Sequence, residues 1–424
     1  MEYFETKETE ERAVLAGIHT GTADVLNDSS QETLDELARL ADTAGAQVVG
    51  QMLQNRPSAD SALYLGEGKL EELRNACDGL DANLVIFDDE LSPIQLRNLE
   101  KHLERRVIDR SMLILDIFAR HAVTREGKIQ VELAQLKYLL PRLSGMGAQM
   151  SRLGAGIGTR GPGETKLETD RRHIHRRIGH LQAELREIKS HRDLLRRRRE
   201  KDNILVAALV GYTNAGKSTL LNALTDAGVL AEDKLFATLD TTLRALELPD
   251  GRTPLIADTV GFIRKLPHHL IEAFKSTLEE AVFADVLIIV IDSASPEYEQ
   301  HLRVVNGILN DIGANDKPSI VVFNKTDLKP ADIVLPSHIE GADAVLELSA
   351  KSKTGLDLFT KTLAEVLPGK KQKVRALIPY DKGTLLSALH SDQTILSESY
   401  EANGTLVEVF VDAQAYAMIR EYLV

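Results

Sequence analysis

Apolar and polar positions change their spacing several times along this chain of 424 residues. In the first 110 residues, short apolar runs alternate with amphipathic stretches. Residues 14–18, 46–53, 84–87 and 107–109 read as strands, and 32–42 and 69–77 as helices. Leu34, Leu37 and Leu40 fall on one side of the first helix. Another helix opens at Ser92-Pro93, with serine as N-cap and proline in the first turn. Such alternation predicts a small α/β domain over residues 1–110 with a largely parallel sheet.

The period then becomes helical. Leu113, Ile117, Phe118, Leu133, Leu136 and Leu140 are packing positions of a helical stretch from 111 to about 140, and Pro141 marks its end or a kink. Residues 144–165 carry Gly145, Gly147, Gly154, Gly156, Gly158, Gly161 and Gly163. A second long helix is expected from 167 to about 201, with Ile174, Ile178, Leu181, Leu185 and Ile188 at helical spacing. Two long helices and a joining loop predict a helical hairpin over residues 111–202, with the glycine-rich loop at its tip.

From 203 to 368 the apolar runs at 204–210, 255–257, 286–291 and 320–323 are continuous, and a fifth, 344–348, is broken only by Glu347. Continuous runs fit strands buried on both faces of a mostly parallel sheet. After a short basic linker, residues 371–424 hold a helix (383–389), a strand (404–411) and a second helix (413–422), a small α+β domain without a chemical signature.

The chemistry lies at the ends of those buried runs. Gly211-Tyr212-Thr213-Asn214-Ala215-Gly216-Lys217-Ser218 follows the first, and Thr219 continues into a helix. Strand, glycine loop and helix form the setting in which backbone N–H groups cradle a phosphate, Lys217 reaches the β- and γ-phosphates, and Ser218 places a hydroxyl on Mg²⁺. Asp258-Thr259-Val260-Gly261 follows the second run. Asp258 is expected to hold Mg²⁺ indirectly, by way of one of its ligands or through water, and the Gly261 N–H to meet the γ-phosphate. Asn324-Lys325-Thr326-Asp327 follows the fourth. A carboxylate at Asp327 accepts from N1–H and the 2-amino group of guanine, donors that adenine lacks. Asn324 is expected to support the loop and the Lys325 stem to lie over the base. Ser349-Ala350-Lys351 follows the fifth run, with its backbone on guanine O6. The four motifs in this order specify a GTP and GDP site with Mg²⁺, in a P-loop GTPase domain spanning 203–368. The threonine that binds Mg²⁺ from the first switch is Thr238, Thr241 or Thr242; spacing does not choose among them.

The residue after Gly261 is Phe262, where many such enzymes carry a glutamine that orients the attacking water. A phenyl ring cannot do this. Slow intrinsic hydrolysis, raised by a partner, is therefore expected; the alternative is that another residue of this chain positions the water.

Composition narrows the setting. Cys77 is the only cysteine, which excludes intrachain disulfides and a cysteine-based zinc site. No apolar run is long enough for a bilayer and the N-terminus is acidic, so a soluble cytoplasmic protein without membrane contact is expected. The formal net charge is −13, yet residues 151–202 carry 15 Lys/Arg against 8 Asp/Glu. One concentrated basic arm on an acidic protein suits a local polyanion contact. Its plain alternative is a solvated charged helix.

At this point the chain resembles the HflX family of GTPases, close to the Obg group. The likeness extends beyond the four motifs. Residues 236–240 (Phe236, Ala237, Thr238, Leu239, Asp240) and 258–262 match the two switch motifs, and residues 127–136 and 158–165 are long specific strings upstream. The resemblance implies Thr238 as the Mg²⁺-binding threonine, within a GTP-binding stretch that includes Phe236 to Asp240. The chain departs from many relatives at Thr241, where they have proline. An asparagine at the place of Asn214 helps hold a potassium ion in some related GTPases, which makes K⁺ a further expectation. As partner, the resemblance implies the large ribosomal subunit, rRNA and ribosomal proteins alike, with hydrolysis stimulated there and stalled or hibernating ribosomes split or remodelled. Arg152, Arg160 and Lys166 at the hairpin tip, and Arg171, Arg172, Arg196, Arg197, Arg198 and Arg199 along the arm, are then candidates for RNA contact through phosphate and shape. Catalysis would rest on Lys217, Gly261 and Thr238 in a monomer. The competing readings are a nucleotide-dependent switch for a protein effector and a ribosome assembly factor. Some relatives bind ATP through the N-terminal region; Gly66-Glu67-Gly68-Lys69 lacks phosphate-loop spacing and reads as a helix-entry turn.

Overall fold

In a computed structural model, the described residues are 10–21, 29–143, 162–202, 204–225, 235–236, 241–267, 270, 275–331, 333–369 and 372–424. The chain divides into two compact units. Residues 1–188, 232–240 and 263–275 make the first, and the remainder the second.

The first unit is built on four parallel strands, β1 (Arg12–His19), β2 (Gln47–Asn55), β3 (Leu84–Phe87) and β4 (Arg106–Asp109), in the order β2-β1-β3-β4. Their crossovers are α1 (Gln31–Thr43), α2 (Glu67–Gly79) and α3 (Pro93–Leu103). Apolar side chains on both faces of β1 explain its central place: Val14, Ala16 and Ile18 pack with Leu70, Leu73 and Phe87, while Ala13 and Leu15 are equally buried. Ser92 caps α3 through the Gln95 N–H and Gln95 reaches back to the Ser92 N–H, a reciprocal cap with Pro93 in the first turn. Gly66 is the N-cap of α2, so the glycine-lysine cluster is a helix entry.

Where one helix was expected from 111 to about 140 there are two, α4 (Arg110–His121) and α5 (Arg125–Leu143). Ala122 is extended at φ −68°, ψ 109°, and Thr124 caps the next helix by accepting from the Gly127 N–H at 3.0 Å. A local cap thus outcompetes a continuous apolar period. Pro141 sits inside the last turn of α5 rather than ending it. α6 (Pro162–Lys201) starts before residue 167, because Pro162 is tolerated in a first turn. Its first part packs antiparallel on α5, with Leu181 against Ile129 and Leu133, and Arg177 and Arg125 paired with Glu132 and Glu184. The glycine-rich segment up to residue 161, with Arg152 and Arg160, lies outside the described residues.

The second unit holds a six-stranded sheet in the order β10-β9-β8-β5-β7-β6. Its strands are β5 (Val206–Gly211), β6 (Thr242–Ala245), β7 (Leu255–Asp258), β8 (Val286–Asp292), β9 (Ser319–Asn324) and β10 (Ala344–Glu347). All pairs are parallel except that of β6, an antiparallel edge strand with no apolar run to announce it. The helices are α7 (Lys217–Thr225), α8 (Lys275–Phe283), α9 (Tyr298–Asp311) and α10 (Leu356–Val366). β5, β8 and β9 are buried throughout or nearly so, which is why they read as unbroken apolar runs.

The C-terminal region adds an antiparallel sheet, β11 (Gln372–Ile378), β12 (Thr394–Glu401) and β13 (Gly404–Val411), with β13 in the middle, and the helices α11 (Gly383–Asp392) and α12 (Ala413–Ile419). Both helices were expected, but of the three strands only β13. Its alternation buries Val407, Val409 and Val411, whereas the edge strands are more polar. No helix among the described residues is long and apolar enough to cross a membrane.

Candidate active site

Four parallel strands of the six-stranded sheet end at one edge, and each delivers polar groups there. Gly211 closes β5, Asp258 closes β7, Asp292 closes β8 and Asn324 closes β9. The crevice beyond the carboxyl ends of parallel strands is where open α/β sheets bind ligands.

The loop from Gly211 to Ser218 enters α7 under tight backbone constraints. Gly211 has φ 153°, and a Cβ there would stand 2.2 Å from the Val290 carbonyl oxygen; Gly216 has φ 91°. Asn214 is also left-handed, at φ 60°. Lys217 folds back over this loop. Its Nζ donates to the carbonyls of Gly211 at 3.1 Å and Tyr212 at 2.9 Å. Burial pushes the Lys217 ammonium down to about 8, against the pull of Asp258 and aided by Lys325. A buried cation neutralised mostly by carbonyl dipoles favours an anion. Thr219 continues α7.

Ser218 Oγ donates to Asp258 Oδ2 at 2.6 Å. Burial raises the Asp258 carboxyl, while Lys217 and the Ser218 hydroxyl hold it down. Its second oxygen is buried and makes no hydrogen bond within the described residues. A hydroxyl and a carboxylate with a free buried oxygen form an all-oxygen donor set. Mg²⁺ bound to a nucleotide completes such a set with phosphates and water. The Thr259 hydroxyl donates to the Leu209 carbonyl at 2.7 Å, which ties this strand end to β5.

Phe262 staples the second motif to the phosphate loop. Its N–H donates to the Gly211 carbonyl at 3.0 Å and its carbonyl accepts from the Thr213 N–H at 2.7 Å. The ring is fully buried, with Val260 nearly so. Gly261 lies so close that a Cβ would be 2.7 Å from Thr213 Cα and 3.0 Å from Lys217 Nζ.

At the base-recognition end, Asn324 bridges two loops. Its Nδ2 donates to the Ala215 carbonyl at 2.9 Å, and its Oδ1 accepts from the Ala350 N–H at 3.0 Å. Asp327 accepts from Ser349 Oγ at 2.5 Å, while Ser349 Oγ accepts from the Ser352 N–H at 3.1 Å. The Thr326 N–H reaches the Leu348 carbonyl at 3.3 Å. Lys325, left-handed at φ 63°, pairs with Asp292 at 2.8 Å. Lys351 is exposed. Sequence reasoning missed Asp292, although it ends the apolar run of β8 as Asp258 ends that of β7. It also missed His301, whose ring stacks on Tyr212 with centroids 3.9 Å apart.

Phe236 belongs to the first unit, where its ring meets Phe118 edge-on at 4.7 Å. Ala237, Thr238, Leu239 and Asp240 lie outside the described residues. Of the arm's arginines, Arg171, Arg172, Arg197 and Arg198 are exposed. Arg196 and Arg199 are not free basic groups, which corrects the grouping of residues 196–199 as one RNA-facing run. Helical geometry turns these two inward, where they face Glu279 and Glu280.

Three family models match along the chain: a GTP-binding GTPase N-terminal region over residues 31–119, a GTP-binding GTPase middle region over 121–199, and a 50S ribosome-binding GTPase over 206–325. The chain is 49% identical over 420 residues to the GTPase HflX of Lacrimispora saccharolytica, covering 99% of this chain and 98% of that protein. It is 41% identical over 404 residues to the GTPase HflX of Escherichia coli, covering 95% and 94%. Among solved structures, a GTP-binding protein from the archaeon Sulfolobus solfataricus in complex with GDP matches 84% of this chain and 98% of its own, at 28% identity and a TM-score of 0.43.

Proposed function

This chain belongs to the HflX family of GTPases and is a GTP hydrolase, and we propose that it works on the ribosome. In this reading it binds the large subunit, through rRNA and ribosomal proteins, and uses GTP binding and hydrolysis to split or remodel stalled or hibernating particles. It acts as a monomer in the cytoplasm. The observation that carries the reading is Phe262. At the place where a water-orienting side chain is expected, the chain has a fully buried ring whose backbone is tied into the phosphate loop. Such a site binds nucleotide but lacks a polar group there to aim the water, so turnover calls for a partner. The exposed Arg171, Arg172, Arg197 and Arg198 of α6 supply a polyanion contact.

In the proposed mechanism Lys217 exchanges its two carbonyl acceptors for the β- and γ-phosphates. The backbone of Thr213 to Thr219 cradles them, and the Gly261 N–H meets the γ-phosphate. Ser218, Asp258 and Thr238 are the residues that hold Mg²⁺, which when bound neutralises phosphate charge. Asn214 helps hold K⁺. Asp327, held by the Ser349 hydroxyl, accepts from guanine, while Lys325 lies over the base and the backbone at Ser349-Ala350-Lys351 meets O6. Loss of the γ-phosphate frees Gly261 and so the segment after it.

Sucrose-gradient sedimentation with GTP and with a slowly hydrolysed analogue tests the proposal. Conversion of 70S particles into subunits is expected. Co-migration with intact particles or with precursors, without conversion, would point instead to a passive switch or an assembly factor.

A further inference from the structure

The base of the basic arm is built as a track. Lys189, Arg192, Arg196 and Arg199 recur at spacings of three, four and three residues, so they form one stripe along α6. Facing them are Glu279 and Glu280 of α8, only 6% and 5% exposed. Glu279 pairs with Lys189 at 3.0 Å and Arg192 at 2.5 Å, and lies 3.8 Å from Arg196. Glu280 lies 3.5 Å from Arg196 and 3.4 Å from Arg199. The Arg196 guanidinium also stacks on the Phe283 ring at 3.6 Å.

Two features separate this contact from a fixed bolt. Cations outnumber the two buried carboxylates along the stripe: Glu279 has Lys189, Arg192 and Arg196 within reach, and Glu280 has Arg196 and Arg199, so the two carboxylates share Arg196. The pairing is also incomplete, since Arg196 Nε and Nη2 are buried and make no hydrogen bond within the described residues. Beside the cluster is an open cavity of about 290 Å³, lined by Arg196, Arg199, Glu280 and Phe283.

The chain connects both helices to the site. α8 follows the segment that begins at Gly261, and α6 leads through residues 202–205 into β5 and the phosphate loop. We propose that Glu279 and Glu280 are positioning residues that slide along the α6 stripe by exchanging partners. A shift of α8 with nucleotide state is thereby registered against the root of the arm, and a load on the arm is returned to the segment after Gly261. Discrete helix shifts of this kind carry switching in other proteins. The inference rests on the ribosomal reading only for the source of that load.

Cysteine pairs test it in the full chain with Cys77→Ser. One variant carries Arg192→Cys with Glu279→Cys, the other Arg196→Cys with Glu279→Cys. Rates of disulfide formation are compared in GDP and in a slowly hydrolysed GTP analogue. The expected result is that the ratio of the two rates changes at least fivefold between nucleotides, and that the locked protein keeps its KM for GTP but loses ribosome-stimulated kcat until reduced. An unchanged ratio would overturn the proposal. Glu279→Gln, which preserves shape, controls for folding and is expected to lose stimulation while retaining basal KM. If the unmodified protein is not stimulated by ribosomes, the ribosomal reading fails, and the rate ratio still decides the sliding contact.

Discussion

Two buried lysines in this molecule meet opposite fates. Lys265, in the first unit, has its ammonium 2.6 Å from Asp88, 2.6 Å from Asp89 and 2.8 Å from the Ser29 hydroxyl. Asp88 is shared with Arg110, which also pairs with Glu36 and donates to the Arg264 carbonyl at 3.1 Å. Burial pushes the Asp88 carboxyl up, but Arg110 and Lys265 outweigh it and hold it below the usual carboxylate range. Lys217, in the second unit, has two carbonyls as hydrogen-bond acceptors and falls to about 8. Two buried lysines thus carry different meanings. One is neutralised by the protein and belongs to its architecture. The other is left short of negative charge and is complete only with a ligand.

Substitutions separate them. Lys217→Ala should weaken GDP and GTP binding by at least about 100-fold, the scale of a charge-assisted phosphate contact made in a buried site, while the melting temperature of the nucleotide-free protein holds or rises. Calorimetry and a thermal melt read both. Lys265→Ala should do the reverse in stability, costing about 3 kcal/mol because buried Asp88 and its neighbour Asp89 lose a partner. A melt within a degree of the parent would mean that this network is no more than a surface pair.

The pH response follows from the same contrast. The folded Lys217 value of about 8 lies below the ordinary lysine value of 10.5. Between these values the unfolded chain binds more protons, so this group makes the nucleotide-free protein more stable as pH rises through that window. Phosphates need the protonated form. GDP affinity should therefore fall by up to about tenfold per pH unit above 8, with proton uptake on binding, and Lys217→Ala should abolish the uptake. A smaller effect is expected at the base end. Ser349→Ala removes the hydroxyl that holds Asp327 and should cost about 1 kcal/mol in guanine-nucleotide affinity, with little change for the phosphate-only ligand pyrophosphate.

Much of the second unit was legible because its information is local. Each buried strand is an unbroken apolar run, and the polar residue that ends it stands at the sheet's edge whatever the rest of the chain does. Asp292 was overlooked although it obeys that same rule. The Ser92-Pro93 entry was legible for a similar reason, since a cap is made within one turn. What could not be read depended on partners far away in sequence. Arg196 and Arg199 look like a basic run until Glu279 and Glu280, some 80 residues on, turn two of the four inward. The Arg110–Asp88–Glu36–Lys265 network has no period or motif. The break at Ala122 was hidden because the apolar period continues across it, while the Thr124 cap that causes it is a single hydroxyl.

The most direct test of the whole account is the single-turnover rate of GTP hydrolysis, measured alone and with saturating large ribosomal subunits or 70S particles. With the buried ring of Phe262 standing where a water-orienting side chain is expected, the rate alone should be slow, and ribosomes should raise it at least tenfold without a matching change in GTP affinity. Equal rates with and without ribosomes would contradict the account and place the missing catalytic group within this chain.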